Sequence, residues 1–149
     1  MIPQDSKTLL LDELDDLRRM ADHLSHSLGR CARIEIVPGL DELSDERIEA
    51  FTSRFARTAD LLVNKVLRTL DRHELEPSGS LLDVLQRAEK RDIISSAREL
   101  RLIKNLRNAI AHDYARDSIS ETFSLCRHWT PVLLKAIADL DDYIARLPE

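Results

Sequence analysis

The segment SKTLLLDELDDLRRMADHLSHSL, residues 6–28, decides the fold class. Its apolar side chains recur at alternating intervals of four and three residues, which is the spacing of one face of an α-helix. This seam consists of Leu10, Leu14, Leu17, Ala21, Leu24 and Leu28. Charged residues occupy much of the remaining surface, so the segment predicts a long amphipathic helix that packs its seam against other helices.

The chain after residue 43 predicts a second long helix and then a short one. Ser44 is the predicted cap of the long helix, and Pro77 lies beyond its predicted end. The seam of this helix consists of Ile48, Phe51, Phe55, Leu62, Val66 and Leu70. Ser80 and Asp83 have the spacing of a capping box, which predicts the start of the short helix.

Two further helices complete the predicted fold. One runs from about Ser95 to His112, and the last begins at a second capping box formed by Ser118 and Glu121. The candidate core positions of the last helix are Ile119, Phe123, Leu133, Ile137, Leu140, Ile144 and Leu147. We therefore predict a single domain over residues 1–149, an all-α antiparallel up-and-down bundle of four long helices and one short helix.

The composition of the chain favours this fold class. Hydrophobic residues make up 43% and charged residues 33%, with only 3 glycines, which leaves little room for sheet or glycine-rich phosphate loops. The N-terminus does not resemble a signal peptide, and the apolar runs are too short to span a membrane. Cys31 and Cys126 have no paired spacing, so we expect a buried thiol at Cys126 and a reducing, cytoplasmic location.

The octapeptide RNAIAHDY, residues 107–114, carries the candidate chemistry. Arg107 can hold a phosphate through a fixed fork of donors, and His112 can move protons near neutral pH. RNA brings its own nucleophile, the 2′-hydroxyl, so these two side chains suffice for cleavage without a metal or a cofactor. On their spacing alone, the solvated face of a surface helix is the better interpretation, because such pairs often arise by chance.

The helical geometry of the motif suggests a site that two subunits share. Asn108 and His112 are four residues apart, so the amide could orient the imidazole. Arg107 lies roughly 140° around the helix axis from His112, and one histidine cannot easily serve as both acid and base. The predicted apolar side holds Leu102, Ile103, Leu106 and Ile110, and the opposite side holds Arg101, Lys104, Arg107, Asn108 and His112. We expect a homodimer that brings two copies of the motif to one cleft.

The distribution of charge also bears on the substrate. The chain has a net charge of −5, but residues 90–116 contain seven basic and three acidic residues and therefore carry +4, which leaves −9 elsewhere. Because a local patch governs affinity for a polyanion, we expect Arg101, Lys104 and Arg116 to contact RNA. The alternative is that this basic segment pairs with acidic neighbours inside the bundle.

The sequence around the motif resembles a known family. The run LIKNLRNAIAHDYARDSISETF, residues 102–123, followed by RHWTPVLLKAI, residues 127–137, resembles the HEPN family of small helical proteins. In that family an arginine, usually followed by asparagine, and a histidine four to six residues downstream define a ribonuclease motif. Tyr114, two positions past the histidine, is similar to the tyrosine of HepT-type toxins. The resemblance covers the chain from about Ser44 to its end.

The resemblance implies a function and its partners. It implies a metal-independent endoribonuclease whose catalytic residues are Arg107, His112 and Asn108, at a homodimer interface and without a cofactor. It also implies the toxin of a type VII toxin–antitoxin pair, neutralised when a nucleotidyltransferase antitoxin transfers AMP to Tyr114. The alternatives are a non-catalytic companion subunit that binds nucleotide or substrate for a nucleotidyltransferase, and a purely structural helical adaptor.

Overall fold

The described part of the chain contains six α-helical segments, two of which belong to one continuous helix. The computed structural model describes the backbone of residues 3–112 and 116–148, and the side chains of residues 5–110 and 119–148. The helices are α1 (Pro3–Cys31), α2 (Glu42–Asp60), α3 (Leu67–His73), α4 (Leu81–Lys90), α5 (Ala97–His112) and α6 (Arg116–Ala145). A π-helical segment, Leu61–Val66, joins α2 to α3 with helical backbone at both junctions. Residues 42–73 are therefore one helix, called the long helix below, and the described ranges contain no strand.

The long helix runs antiparallel to α1. Near its end, Thr69 Oγ1 donates to Glu13 Oε1 in the first half of α1 at 2.8 Å. Near its start, Arg54 Nη1 donates to Ser27 Oγ, close to the end of α1, at 2.6 Å. The order of these contacts fixes the relative direction of the two helices.

Helix α6 runs antiparallel to α1 and parallel to the long helix. Arg127 Nη2, in its first half, donates at 3.1 Å to the carbonyl oxygen of Ala32, which follows the end of α1. The rings of Phe51 and Phe123 pack edge to face with centroids 5.9 Å apart. The all-α bundle of four long helices and one short helix is confirmed.

The predicted seams form the core. In α1, Leu10, Leu14, Leu17 and Leu24 are at most 1% exposed, and the seam residues of the long helix are at most 4% exposed. In α6, Phe123, Leu133, Ile137, Leu140 and Ile144 are buried. Cys126 is buried as expected, and burial raises the pKa of its thiol to about 12. No helix in the described ranges combines the length and the apolar content needed to cross a membrane.

Two predicted helix caps are wrong. The long helix begins at Glu42 after Asp41, which has extended backbone, so Ser44 lies in the first turn. Asp and Ser are comparable cap residues, and the sequence pattern could not choose between two candidates three residues apart. Helix α6 begins at Arg116, so Ser118 lies inside it.

The capping box at the start of α4 is confirmed. The backbone N–H of Asp83 donates to Ser80 Oγ at 3.2 Å, and the backbone N–H of Ser80 donates to Asp83 Oδ2 at 2.9 Å. This second bond makes the largest contribution to lowering the pKa of the Asp83 carboxyl. The exchange satisfies two backbone donors at the helix start, which fixes where α4 begins.

Candidate functional site

Helix α5 is buried along one narrow stripe in its first half. Ala97, Leu100 and Ile103 are at most 7% exposed, and they recur at intervals of three residues. No residue between positions 104 and 110 is buried, so the second half of α5 lies at the surface. Of the predicted apolar side, Ile103 is buried, whereas Leu102 is 46% exposed. Leu102 and Ile103 point about 100° apart, and only Ile103 reaches the core.

Arg107 lies on the same side of α5 as the buried stripe and faces the long helix. It follows Ile103 by four residues, and its Nε lies 3.6 Å from Asp60 Oδ1. The side chains of Arg107 and Asp60 are 46% and 37% exposed. With the described residues, Arg107 makes no other ion pair or side-chain hydrogen bond. Its terminal nitrogens therefore face no described protein partner and can receive an oxyanion such as a phosphate.

Asp60 and Asn64 form the polar edge of the site on the long helix. Asn64 Nδ2 donates to Asp60 Oδ1 at 2.6 Å, the same oxygen that faces Arg107. Asp60 immediately precedes the π-helical segment and Asn64 lies within it. Wide π-helical turns of this kind are frequent at functional sites. Sequence reasoning missed both residues, because Asp60 precedes the run LLVNKV and Asn64 lies within it, and nothing in this run predicts which helix the two side chains face.

A second row of polar side chains lies beside Arg107 on α5. Arg101 and Asn108 are exposed and Lys104 is half-buried. Their intervals of three and four residues place them on one face, and Lys104 is also a neighbour of Arg107. Within the described part of the chain, neither Arg101 nor Lys104 forms an ion pair. The structure thus brings together four of the predicted site residues: Arg101, Lys104, Arg107 and Asn108.

The remaining predicted site residues are described only in part. His112 is the last residue of α5, four positions after Asn108, and only its backbone is described. Arg116 is the first residue of α6, also described by its backbone alone. Tyr114 lies outside the described residues. The described backbone therefore places His112 one helical turn after Asn108.

One arginine of the basic segment is largely buried in the bundle and paired with acidic side chains. Arg91 is 12% exposed, and its Nη1 donates to Asp71 Oδ1 at 2.6 Å. Its Nε pairs with Glu74 Oε1 at 2.8 Å. For Arg91, the alternative that basic residues pair with acidic neighbours is the correct one. The charge that a polyanion could meet is accordingly smaller than the sequence count of +4.

An apolar strip lies uncovered beside the polar row. Leu102 and Ala109 are exposed, and Leu106 and Ile110 are half-buried. Leu106 follows Leu102 by four residues, and Ala109 and Ile110 follow Leu106 by three and four, so they share a helix face, on which Leu106 and Ile110 also pack partly against the core. An apolar face on a helix that also carries exposed polar side chains is typical of a surface that another molecule covers.

The chemistry available at the site is that of an arginine, an amide and the end of a helix. No group of three or more metal-ligating side chains occurs among the described residues. The chain matches no known protein-family model and resembles no curated protein. The arrangement can bind a phosphate at Arg107 and hydrogen-bond it or a neighbouring group through Asn108.

Proposed function

We propose that this protein is a metal-independent HEPN-type endoribonuclease. The observation that carries the proposal is the position of Arg107, half exposed, loosely paired with Asp60 and with its terminal nitrogens free of described partners. Its helix also carries Asn108 and ends at His112. The resemblance of residues 102–137 to the HEPN family supports the same activity.

The proposed reaction uses the 2′-hydroxyl of RNA. His112 takes the proton of that hydroxyl, and the oxygen attacks the adjacent phosphorus, which forms a 2′,3′-cyclic phosphate. The bond from phosphorus to the 5′-oxygen breaks, and a protonated histidine gives that oxygen its proton. Arg107 binds the phosphate and offsets the charge that grows on its oxygens, which is usually the largest catalytic effect.

We propose further that the active form is a homodimer. The His112 of one subunit acts as the base and the His112 of the other acts as the acid, so each proton transfer has its own histidine. The uncovered strip of Leu102, Leu106 and Ala109 on α5 supports this arrangement, since it lies beside Asn108 on the same helix. A twofold axis near this strip would bury it and bring the two motif helices together.

The proposed regulation is AMP transfer to Tyr114 by a nucleotidyltransferase antitoxin in the cytoplasm. The tyrosine oxygen attacks the α-phosphorus of ATP, pyrophosphate leaves, and the hydroxyl proton passes to solvent or a base of the partner. The added phosphate is an anion two residues from His112, which competes with RNA for Arg107. Tyr114→Phe should escape neutralisation, and intact-mass measurement after incubation with partner and ATP should show no added AMP.

The decisive experiment compares purified wild type with three variants on a mixed RNA substrate. Arg107→Ala and His112→Ala should lose at least about a hundredfold in cleavage rate, because each removes an interaction made in the transition state. Arg146→Ala is the matched control, since Arg146 is an exposed arginine near the end of α6. EDTA should leave the rate unchanged.

Two outcomes would contradict the proposed function. Cleavage that EDTA stops and magnesium restores would refute the metal-independent mechanism. RNA left intact by wild type, with ATP or another nucleotide bound instead, would favour the companion subunit of a nucleotidyltransferase.

A further inference from the structure

A basic groove runs between α1 and the long helix, away from the α5 motif. Its first part is a cleft of about 260 Å³ lined by Ser27 and Arg30 of α1 and by Leu43, Glu46, Arg47, Ala50 and Arg54 of α2. An adjoining cleft of about 250 Å³ shares Arg54 and is lined further by Met20, His23, Arg57 and Thr58. Arg54 lines both clefts, and its side chain lies between them where it reaches α1; the two clefts together are called the α1–α2 groove below.

The arginines of this groove form no direct ion pair with a described residue, although the Asp41 carboxylate lies close enough to interact with the charge of Arg47. Within the described ranges, Arg30, Arg47 and Arg54 form no ion pair, although Glu46 lines the same cleft. The Nε atom of Arg47 is buried and has no hydrogen-bond partner among the described residues. A buried, unsatisfied donor of a charged group is costly, and like charges that share a cleft repel each other. Both costs would be removed by an anion in the groove.

Structural roles account for two of the arginines but not for the third. Arg54 Nη1 donates to Ser27 Oγ at 2.6 Å and to the carbonyl oxygen of His23 at 3.3 Å, which ties α2 to α1. Arg30 lies in the last turn of α1, where the helix dipole favours a cation. Neither explanation applies to Arg47, which lies near the start of α2, where the dipole favours an anion.

We infer that the α1–α2 groove is a second phosphate-binding site, which holds a backbone phosphate of the RNA that the motif helix cleaves. This inference rests on the proposed ribonuclease function. The groove continues through Arg57, which is exposed and has no described ion-pair partner. Arg57 precedes Asp60 by three residues, and Asp60 faces Arg107. A single strand can therefore follow one helix for about 20 Å, from Arg47 to Arg107.

The first arm of the test uses inorganic phosphate and needs no RNA. About 10 mM phosphate, compared with chloride at equal ionic strength, should raise the melting temperature of wild type by about 3 °C. The variant Arg30→Gln/Arg47→Gln should lose most of this increase. Arg146→Gln is the matched control for the removal of an exposed arginine and should respond as wild type does. If the double variant folds poorly, the same measurement is made on Arg30→Gln alone, because Arg30 is exposed.

The second arm uses a 2′-O-methyl RNA oligonucleotide, which lacks the nucleophile and cannot be cleaved. Binding is measured by fluorescence anisotropy over a series of salt concentrations. The double variant should lower the slope of log affinity against log salt by about 1.4, or 0.7 for each of two lost contacts to single-stranded phosphate. Arg146→Gln should leave the slope unchanged.

The outcomes separate the inference from the proposed function. Loss of both the phosphate effect and part of the salt slope supports the inference. An equal phosphate effect in wild type and double variant refutes the site itself. A phosphate effect that depends on Arg47, with an unchanged RNA slope, refutes the RNA assignment and points to a free phosphate or nucleotide as the ligand. Wild type that cleaves RNA while the groove variants bind it normally refutes the inference alone, whereas wild type that neither binds nor cleaves RNA refutes both.

Discussion

The long helix carries two aspartates that each face an arginine, and the two pairs differ in almost every physical respect. Asp71 is 6% exposed and accepts from Arg87 at 3.1 Å and from Arg91 at 2.6 Å. Asp60 is 37% exposed and lies 3.6 Å from the Nε of Arg107. The same residue types, eleven positions apart on one helix, thus form a closed network in one place and an open pair in the other.

The difference shows how burial divides arginines that carboxylates hold in place from arginines that remain open to a ligand. Two arginines share the charge of Asp71, and Glu74 also pairs with Arg91, so both arginines are held by carboxylates and are largely buried. At Asp60, the arginine keeps its terminal nitrogens free of described partners, and water or a phosphate can reach them. A buried pair is expensive to break, whereas an exposed pair is cheap to exchange for another anion.

The largest expected effect follows from breaking the closed network. Asp71→Asn should lower the free energy of unfolding by about 3 kcal/mol, because Arg87 and Arg91 would lose the buried carboxylate they share and keep only the more exposed Glu76 and Glu74. Urea unfolding followed by circular dichroism measures this loss. The control is Asp141→Asn, which breaks the exposed pair of Asp141 with Arg18 and should cost at most about 1 kcal/mol. Equal losses in the two variants would show that burial does not separate the two kinds of pair.

A smaller effect is expected at the rim of the same network. Tyr143 Oη donates to Glu74 Oε1 at 2.7 Å, so Tyr143→Phe should cost about 1 kcal/mol at neutral pH. Burial, followed by the hydrogen bond to Glu74, raises the pKa of Tyr143 above its ordinary value of 10.0. The stability from this bond is therefore fully present below pH 10 and is lost as the pH rises through the raised pKa.

The pH dependence gives the measurement for this second prediction. The difference in unfolding free energy between wild type and Tyr143→Phe should be constant from pH 7 to 9 and should narrow above pH 10. Other groups that titrate in this range are common to both proteins and cancel in the difference. A difference that grows with pH would mean that the ionised phenolate is stabilised, for example by Arg91.

The fold could be predicted from the sequence because the residues that determine it form local, periodic patterns. The leucines of α1 and the seam of the long helix specify which faces are buried, and the capping box at Ser80 specifies where α4 begins. The start of the long helix was predicted wrongly at Ser44, because several residues near it are good caps. The exposure of Leu102 could not be predicted either, because tertiary packing decides whether both members of an adjacent apolar pair are buried, as Leu62 and Val63 are, or only one.

The candidate site was predictable on one helix only. Arg101, Lys104, Arg107 and Asn108 came from the motif, but Asp60 and Asn64 approach them from a helix about forty residues earlier in the chain. A π-helical segment has no sequence pattern that would have revealed this approach. The groove around Arg47 was missed for the same reason, because whether an arginine forms an ion pair is a property of tertiary packing.

The smallest expected effect on stability belongs to the open pair. Asp60→Asn should change the unfolding free energy by about 0.5 kcal/mol or less, since the pair is exposed and the amide oxygen can still accept from Asn64. The same change removes the anion that competes with a phosphate for Arg107, so 2′-O-methyl RNA should bind about two- to fivefold more tightly at low salt. Asp139→Asn, which breaks the exposed pair with Lys135 on α6, should leave RNA affinity unchanged. Weaker binding by Asp60→Asn would mean that Asp60 holds Arg107 in position for its ligand, and the two aspartates of the long helix would then both be structural.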